Sequence, residues 1–256
     1  MTSEFLPVII TNALDENREL LPSVVKGQID FKGILTFCRN FRAAGIATLF
    51  LGGEPSAFQQ LLQCSGRAFA HFLSTVTPPG PLTSKAQPFF DAVAAGDFEG
   101  ASQIAHRSRR TWAQGEEYEE DYLFVTFCMQ YFTSEAERTP GEALLQRYEA
   151  ALQSSEDLRL PACQALRQGD SRAFNEAMRL FLAERGTRMD DRRMRAALSV
   201  EEAATEAALA VEGLALVRLA ERAGLATEGD FLHIPSVARE GSAHSMAPDA
   251  WQRLWN

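Results

Sequence analysis

Helix boundaries recur at short intervals along this chain and leave little room for any other secondary structure. Gly52-Gly53 is a stop signal after an amphipathic run containing Ile34, Phe37, Cys38, Phe41 and Leu49. Ser56-Ala57-Phe58-Gln59 reads as a capping box leading into Leu61, Leu62, Ala68, Phe69 and Phe72. Thr139-Pro140-Gly141-Glu142 supplies an N-cap, a first-turn proline and an acid for the dipole, ahead of Leu144, Leu145, Tyr148 and Leu152. Ser199-Val200-Glu201-Glu202 caps a helix expected to run through Val211, Leu214, Val217 and Leu219 to Gly224. The β-like fragment 46–51 reads as the end of a helix, so the expected class is all-α.

Two of these boundaries repeat. Gly96-Asp97 and Gly169-Asp170 follow Ala-containing runs and precede Ala101 and Ala173, an offset of 170 − 97 = 73 residues. Glycine in the left-handed region closes one helix and aspartate caps the next, which predicts two tight αα-hairpins. The spacing fits two units of about 34 to 37 residues, near a helical-repeat period, although the tetratricopeptide consensus is absent. The pattern predicts a single compact multi-helix array of roughly nine or ten helices with repeat-like hairpin packing. One domain over residues 1–256 is expected, with a weak proline-rich seam at 77–84 and a loop-rich segment at 227–248 before a short helix near Trp251 and Leu254.

Charge narrows the function classes. The 256 residues carry 25 basic and 34 acidic side chains, a formal net charge of −9. That argues against nucleic-acid binding through bulk positive charge and favours basic partners. The longest uncharged stretch, 68–84, is broken by three prolines, so no membrane span is expected, and no secretory signal is read at the start. A cytoplasmic location follows as the expectation. Cys38, Cys64, Cys128 and Cys163 sit singly in apolar runs with no C-x-x-C spacing and read as reduced, buried residues.

Chemistry-bearing motifs are scarce. His71, His106, His233 and His244 stand alone, and no nucleophile elbow, Walker loop or dinucleotide fingerprint occurs. No catalytic residue, cofactor or metal site is assigned, and the chain reads as a non-enzyme. His71, between Ala70 and Phe72, reads as a partly buried imidazole with a hydrogen-bond partner. Arg107, Arg109 and Arg110, and then Arg185, Arg188, Arg192, Arg193 and Arg195 with Asp190 and Asp191, read as solvated helix faces with local salt bridges.

The densest polar cluster is Glu116, Glu117, Tyr118, Glu119, Glu120, Asp121 and Tyr122, running directly into Leu123-Phe124-Val125. Acids there suit the N-terminus of a buried helix, where the macrodipole stabilises each by about 0.3 to 1 kcal/mol. Left solvated, the same carboxylates would instead present an anionic patch to a basic partner, with Tyr118 and Tyr122 anchoring it or forming a hot spot. As a helix, the segment would pair Glu117 with Asp121 and Glu116 with Glu120 at i, i+4, but it lacks the E-x-x-H partner of a di-iron bundle.

In order, the 115–122 block, the two Gly-Asp turns, the helix 144–152 and the helix 211–220 resemble the forty-ninth immunity family of bacterial polymorphic toxin systems, over about residues 85–240. The resemblance implies an all-α cytoplasmic protein that binds a cognate secreted toxin, often a nuclease, and protects the producing cell during contact-dependent competition. No toxin-contacting motif carries over residue by residue. The rival readings are a helical-repeat adaptor or scaffold binding a peptide or secretion-system component, which would show a concave apolar or Asn-rich groove, and an enzyme, which would show converging carboxylates, histidine or a bound metal in a deep pocket. The oligomeric state is not encoded in these patterns.

Overall fold

The computed structural model describes residues 4–135, 139–240 and 246–253. It contains eleven α-helices and no strands among those residues, so the all-α expectation and its approximate helix count hold. In chain order these are α1 (Leu6–Val25), α2 (Phe31–Gly52), α3 (Pro55–Thr75), α4 (Gln87–Ala94), α5 (Phe98–Arg107) and α6 (Glu119–Met129). They continue with α7 (Gly141–Leu152), α8 (Arg159–Gln168), α9 (Ser171–Met194), α10 (Val200–Ala204) and α11 (Val211–Arg222).

Both Gly-Asp turns form as hairpins. Gly96 and Gly169 each take φ of 71°. Asp97 accepts from the Gly100 N–H at 3.0 Å and Asp170 from the Ala173 N–H at 3.0 Å, capping α5 and α9. The first turn is also tied to α3. The guanidinium of Arg67 donates twice to Asp97, both at 2.6 Å, and the pair is almost completely buried. Asp170 makes its cap in the open.

Other boundaries shift. The capping box at Ser56 does not form, because α3 starts at Pro55, whose fixed φ and missing N–H suit the first turn and leave Ser56 inside the helix. Thr139 is likewise displaced as N-cap by Pro140. The box at Ser199 forms in full, yet its helix stops at Ala204 instead of running to Gly224. There the Arg185 guanidinium donates to the carbonyls of Glu206, Ala207 and Leu209, and His233 accepts from the Ala210 N–H. Tertiary hydrogen bonds to an Ala-rich stretch override its helix propensity.

α1 to α3 pack side by side, α3 lies against α4 and α5, and α11 lies on α4. α3 and α4 approach closely at Gly66, where an added Cβ would lie 2.7 Å from the Ala92 Cβ. A contiguous core runs from Val24 to Trp251. The C-terminal segment closes it: Trp251 packs edge-on against Phe37 with ring centroids 6.0 Å apart and covers His71 at 5.5 Å. That short closing element is a 3-10 turn over Ala250–Gln252, and Leu254 lies outside the described residues. The 227–240 stretch is irregular but pinned, with Arg239 donating to Glu221, Thr227 and the carbonyls of Glu228 and Gly229.

α2 corrects one expectation, since it is long and apolar enough by length and composition to cross a membrane. Its apolar residues, Ile34, Phe37, Cys38, Phe41 and Ile46 among them, are buried in the core. All four cysteines are free and buried.

Candidate functional site

The acidic block divides when it folds. α6 begins only at Glu119, so Glu119, Glu120 and Asp121 occupy its first turn, where the unpaired N–H groups favour negative charge. Glu116, Glu117 and Tyr118 precede the helix, and the expected i, i+4 pairs at 116/120 and 117/121 therefore do not form. Glu117 turns inward and accepts from the backbone N–H of Ala113 at 3.1 Å and of Ser84 at 2.9 Å. Tyr122 is buried, its hydroxyl donating to the Arg110 carbonyl at 2.6 Å. Both brace the connection between α5 and α6.

The remaining members reach the surface with different partners. Glu119 pairs with Arg147 at 2.6 Å and Asp121 with Arg159 at 2.8 Å. Glu116 is exposed and Glu120 half-buried, and neither has an ion pair among the described residues. Tyr118 is 73% exposed. The outward-facing part of the block is thus Glu116, Tyr118 and Glu120, with Glu119 and Asp121 held by arginines.

Glu120 and Asp121 open onto a cleft of about 620 Å³ walled by α6, the α7–α8 connection, α9 and α11. Arg159 organises the acidic wall. It stacks 4.6 Å above the Phe124 ring and pairs with Asp157 at 2.6 Å as well as with Asp121. Desolvation pushes the Asp157 pKa up, but the hydrogen bonds and charge of Arg159, with the Tyr148 hydroxyl at 2.6 Å, outweigh it and hold Asp157 below the usual carboxylate value.

Glu212, in the first turn of α11, lines the same cleft and also a smaller cavity of about 130 Å³, next to Arg42 and Asp91. The residue is half-buried, and the desolvation that comes with it raises its pKa. Arg159 and Arg185 oppose that shift, and Asp157 and Asp121 reinforce it. No hydrogen bond or ion pair to Glu212 occurs among the described residues. Asp91 itself is fully paired, with Arg42 at 2.6 Å and Ser65 at 2.5 Å.

The α9 arginines behave mostly as salt-bridged surface: Arg188 with Glu184, Arg192 with Glu202 and Arg193 with Asp190. Arg185 departs from that expectation by binding carbonyls. His71 also departs from it, since its Nε2 has no partner among the described residues. His106 is exposed and His233 faces the Ala208 carbonyl at 3.3 Å, while His244 lies outside the described residues. No group of three metal-ligating side chains converges among the described residues. A second cleft, of about 670 Å³, has Glu135 and Arg167 as its charged lining among the described residues, and no described residue lining either cleft is asparagine.

Glu212 was legible only indirectly. It shares a helix face with Ala215, Leu216 and Leu219, all fully buried, and a lone acid on an apolar arc is the signal that points to it.

The family model for immunity protein 49 matches residues 56–237. The chain belongs to the immunity protein 49 family. The matched segment runs from α3 through α11 and includes both Gly-Asp hairpins, the acidic block and every residue of the charged cleft, whereas α1 and α2 precede it. No curated protein and no solved structure matches the chain.

Proposed function

We propose that this immunity-family protein neutralises a cognate secreted toxin in the cytoplasm by binding it, without chemistry of its own. The family match over 56–237 carries this reading. A basic toxin, as a nuclease that holds phosphates would be, is the partner that a chain of net charge −9 attracts fastest. Glu116, Tyr118 and Glu120 supply the outward face of the contact, with Glu119 and Asp121 beside them, while Glu117 and Tyr122 hold that face in position. One continuous core from Val24 to Trp251 supports treating the chain as one domain.

The test is association with the toxin encoded in the adjacent reading frame, measured at two salt concentrations, together with survival on co-expression. Wild type should bind and protect. The double variant Glu116→Gln, Glu120→Gln should associate severalfold more slowly and depend less on salt. Absence of both binding and protection by wild type would overturn the toxin-binding reading. Unchanged association by the double variant would overturn the acidic face alone.

A further inference from the structure

We propose that the cleft between α6, α8, α9 and α11 receives a lysine or arginine side chain of the bound toxin, with Glu212 as its carboxylate partner. The proposal rests on the toxin-binding reading above and adds the chemistry of one anchoring contact.

The charge balance of the lining carries it. Six carboxylates and four guanidiniums border the cleft. Arg159 is held by Asp157 and Asp121, Arg188 by Glu184, and Arg192 by Glu202. Arg185 has no carboxylate partner, but its donors engage the carbonyls of Glu206, Ala207 and Leu209, which fixes it on the α10–α11 connection. Three carboxylates of the lining are left without an ion pair among the described residues: Glu120, Glu156 and Glu212. The lining therefore lacks cationic donors rather than acceptors.

Glu212 makes the deficiency specific. Its half-buried carboxyl is given no donor among the described residues, whereas Asp91 and Asp157 are each given an arginine. An entering guanidinium or ammonium would supply the missing donors and charge together. Leu152, Phe181 and Met189 line the same cleft and offer an apolar wall for the methylene stem of a long basic side chain. A divalent ion is less suited, because no three ligating groups converge among the described residues.

The experiment is a double-mutant cycle with the adjacently encoded toxin. Glu212→Gln is isosteric and relieves the desolvated charge, so its thermal midpoint should equal or exceed that of wild type. Its affinity for the toxin should fall by a factor on the order of ten to a hundred. Among single Lys→Ala and Arg→Ala variants of the toxin, one should lose affinity against wild type but little further against Glu212→Gln. A folded Glu212→Gln that binds within about twofold of wild type would overturn the proposal and leave the toxin-binding reading intact. If Glu212→Gln fails to fold, Glu120→Gln and Glu156→Gln take its place, and unchanged affinity in both overturns it. Calorimetric titration of the protein alone with spermidine separates a free cation from a side chain: saturation as tight as toxin binding, lost in Glu212→Gln, would overturn the side-chain occupant.

Discussion

The Arg67–Asp97 pair is buried and the Glu212 carboxyl half-buried at a cleft, and the two differ in what meets them. Arg67 comes from the middle of α3 and closes twice on Asp97, which also caps α5, so two helices are joined through one ion pair. Glu212 faces arginines on two other helices that are already engaged, one with carboxylates and one with backbone carbonyls. The first arrangement uses its charges to join elements together. The second leaves a carboxylate at a cleft without an ion pair among the described residues. If the proposed contact is right, stability and binding lie in separate places, and substitutions should separate them.

The largest expected effect breaks the closed unit. Asp97→Ala leaves the buried Arg67 with only the solvent-exposed Glu99, 3.2 Å away, and should cost about 3 to 5 kcal/mol in denaturant unfolding. The equivalent Asp170→Ala at the second hairpin removes only an exposed cap and should cost about 1 kcal/mol. Equal losses at the two turns would show that the Arg67 pair adds nothing beyond capping.

The pH dependence of stability sharpens the contrast within the cleft. Asp157 has its folded pKa held below the unfolded value, so its contribution is present above the ordinary carboxylate range, about pH 4, and is lost as pH falls through the folded value. Glu212 has its folded pKa raised, so ionising it costs stability at neutral pH, and that cost disappears as pH falls through its folded value. In urea unfolding, Asp157→Asn should destabilise at neutral pH and Glu212→Gln should not, and both differences from wild type should shrink on acidification. Destabilisation by Glu212→Gln at neutral pH would show that the carboxylate already has a partner within the fold.

Much of the fold could be read from caps and periodicity. Gly53, Gly96 and Gly169 all adopt the left-handed conformation that their sequence positions predict, because no other residue takes it so cheaply there. α1 carries none of the boundary signals read elsewhere in the sequence; Pro7 sits in its tolerant first turn and Pro22 near its end. The candidate site was half legible. The acids at 116–121 advertised themselves by density, but which of them face outward depends on two backbone N–H groups, one of them on Ser84, that draw Glu117 inside.

Composition and local pattern by themselves determined an all-α chain of acidic character, two Gly-Asp hairpins and a helix N-terminus somewhere within the acids at 116–121, because caps, turns and dipoles act over a few residues. Tertiary structure alone decided that the Ser199 helix ends at Ala204, that Asp97 is buried and Asp170 is not, and that Glu212 meets Glu120 and Glu156 across a cleft. Those outcomes depend on which distant side chain arrives at a given backbone group, and desolvation exists only once the helices have packed.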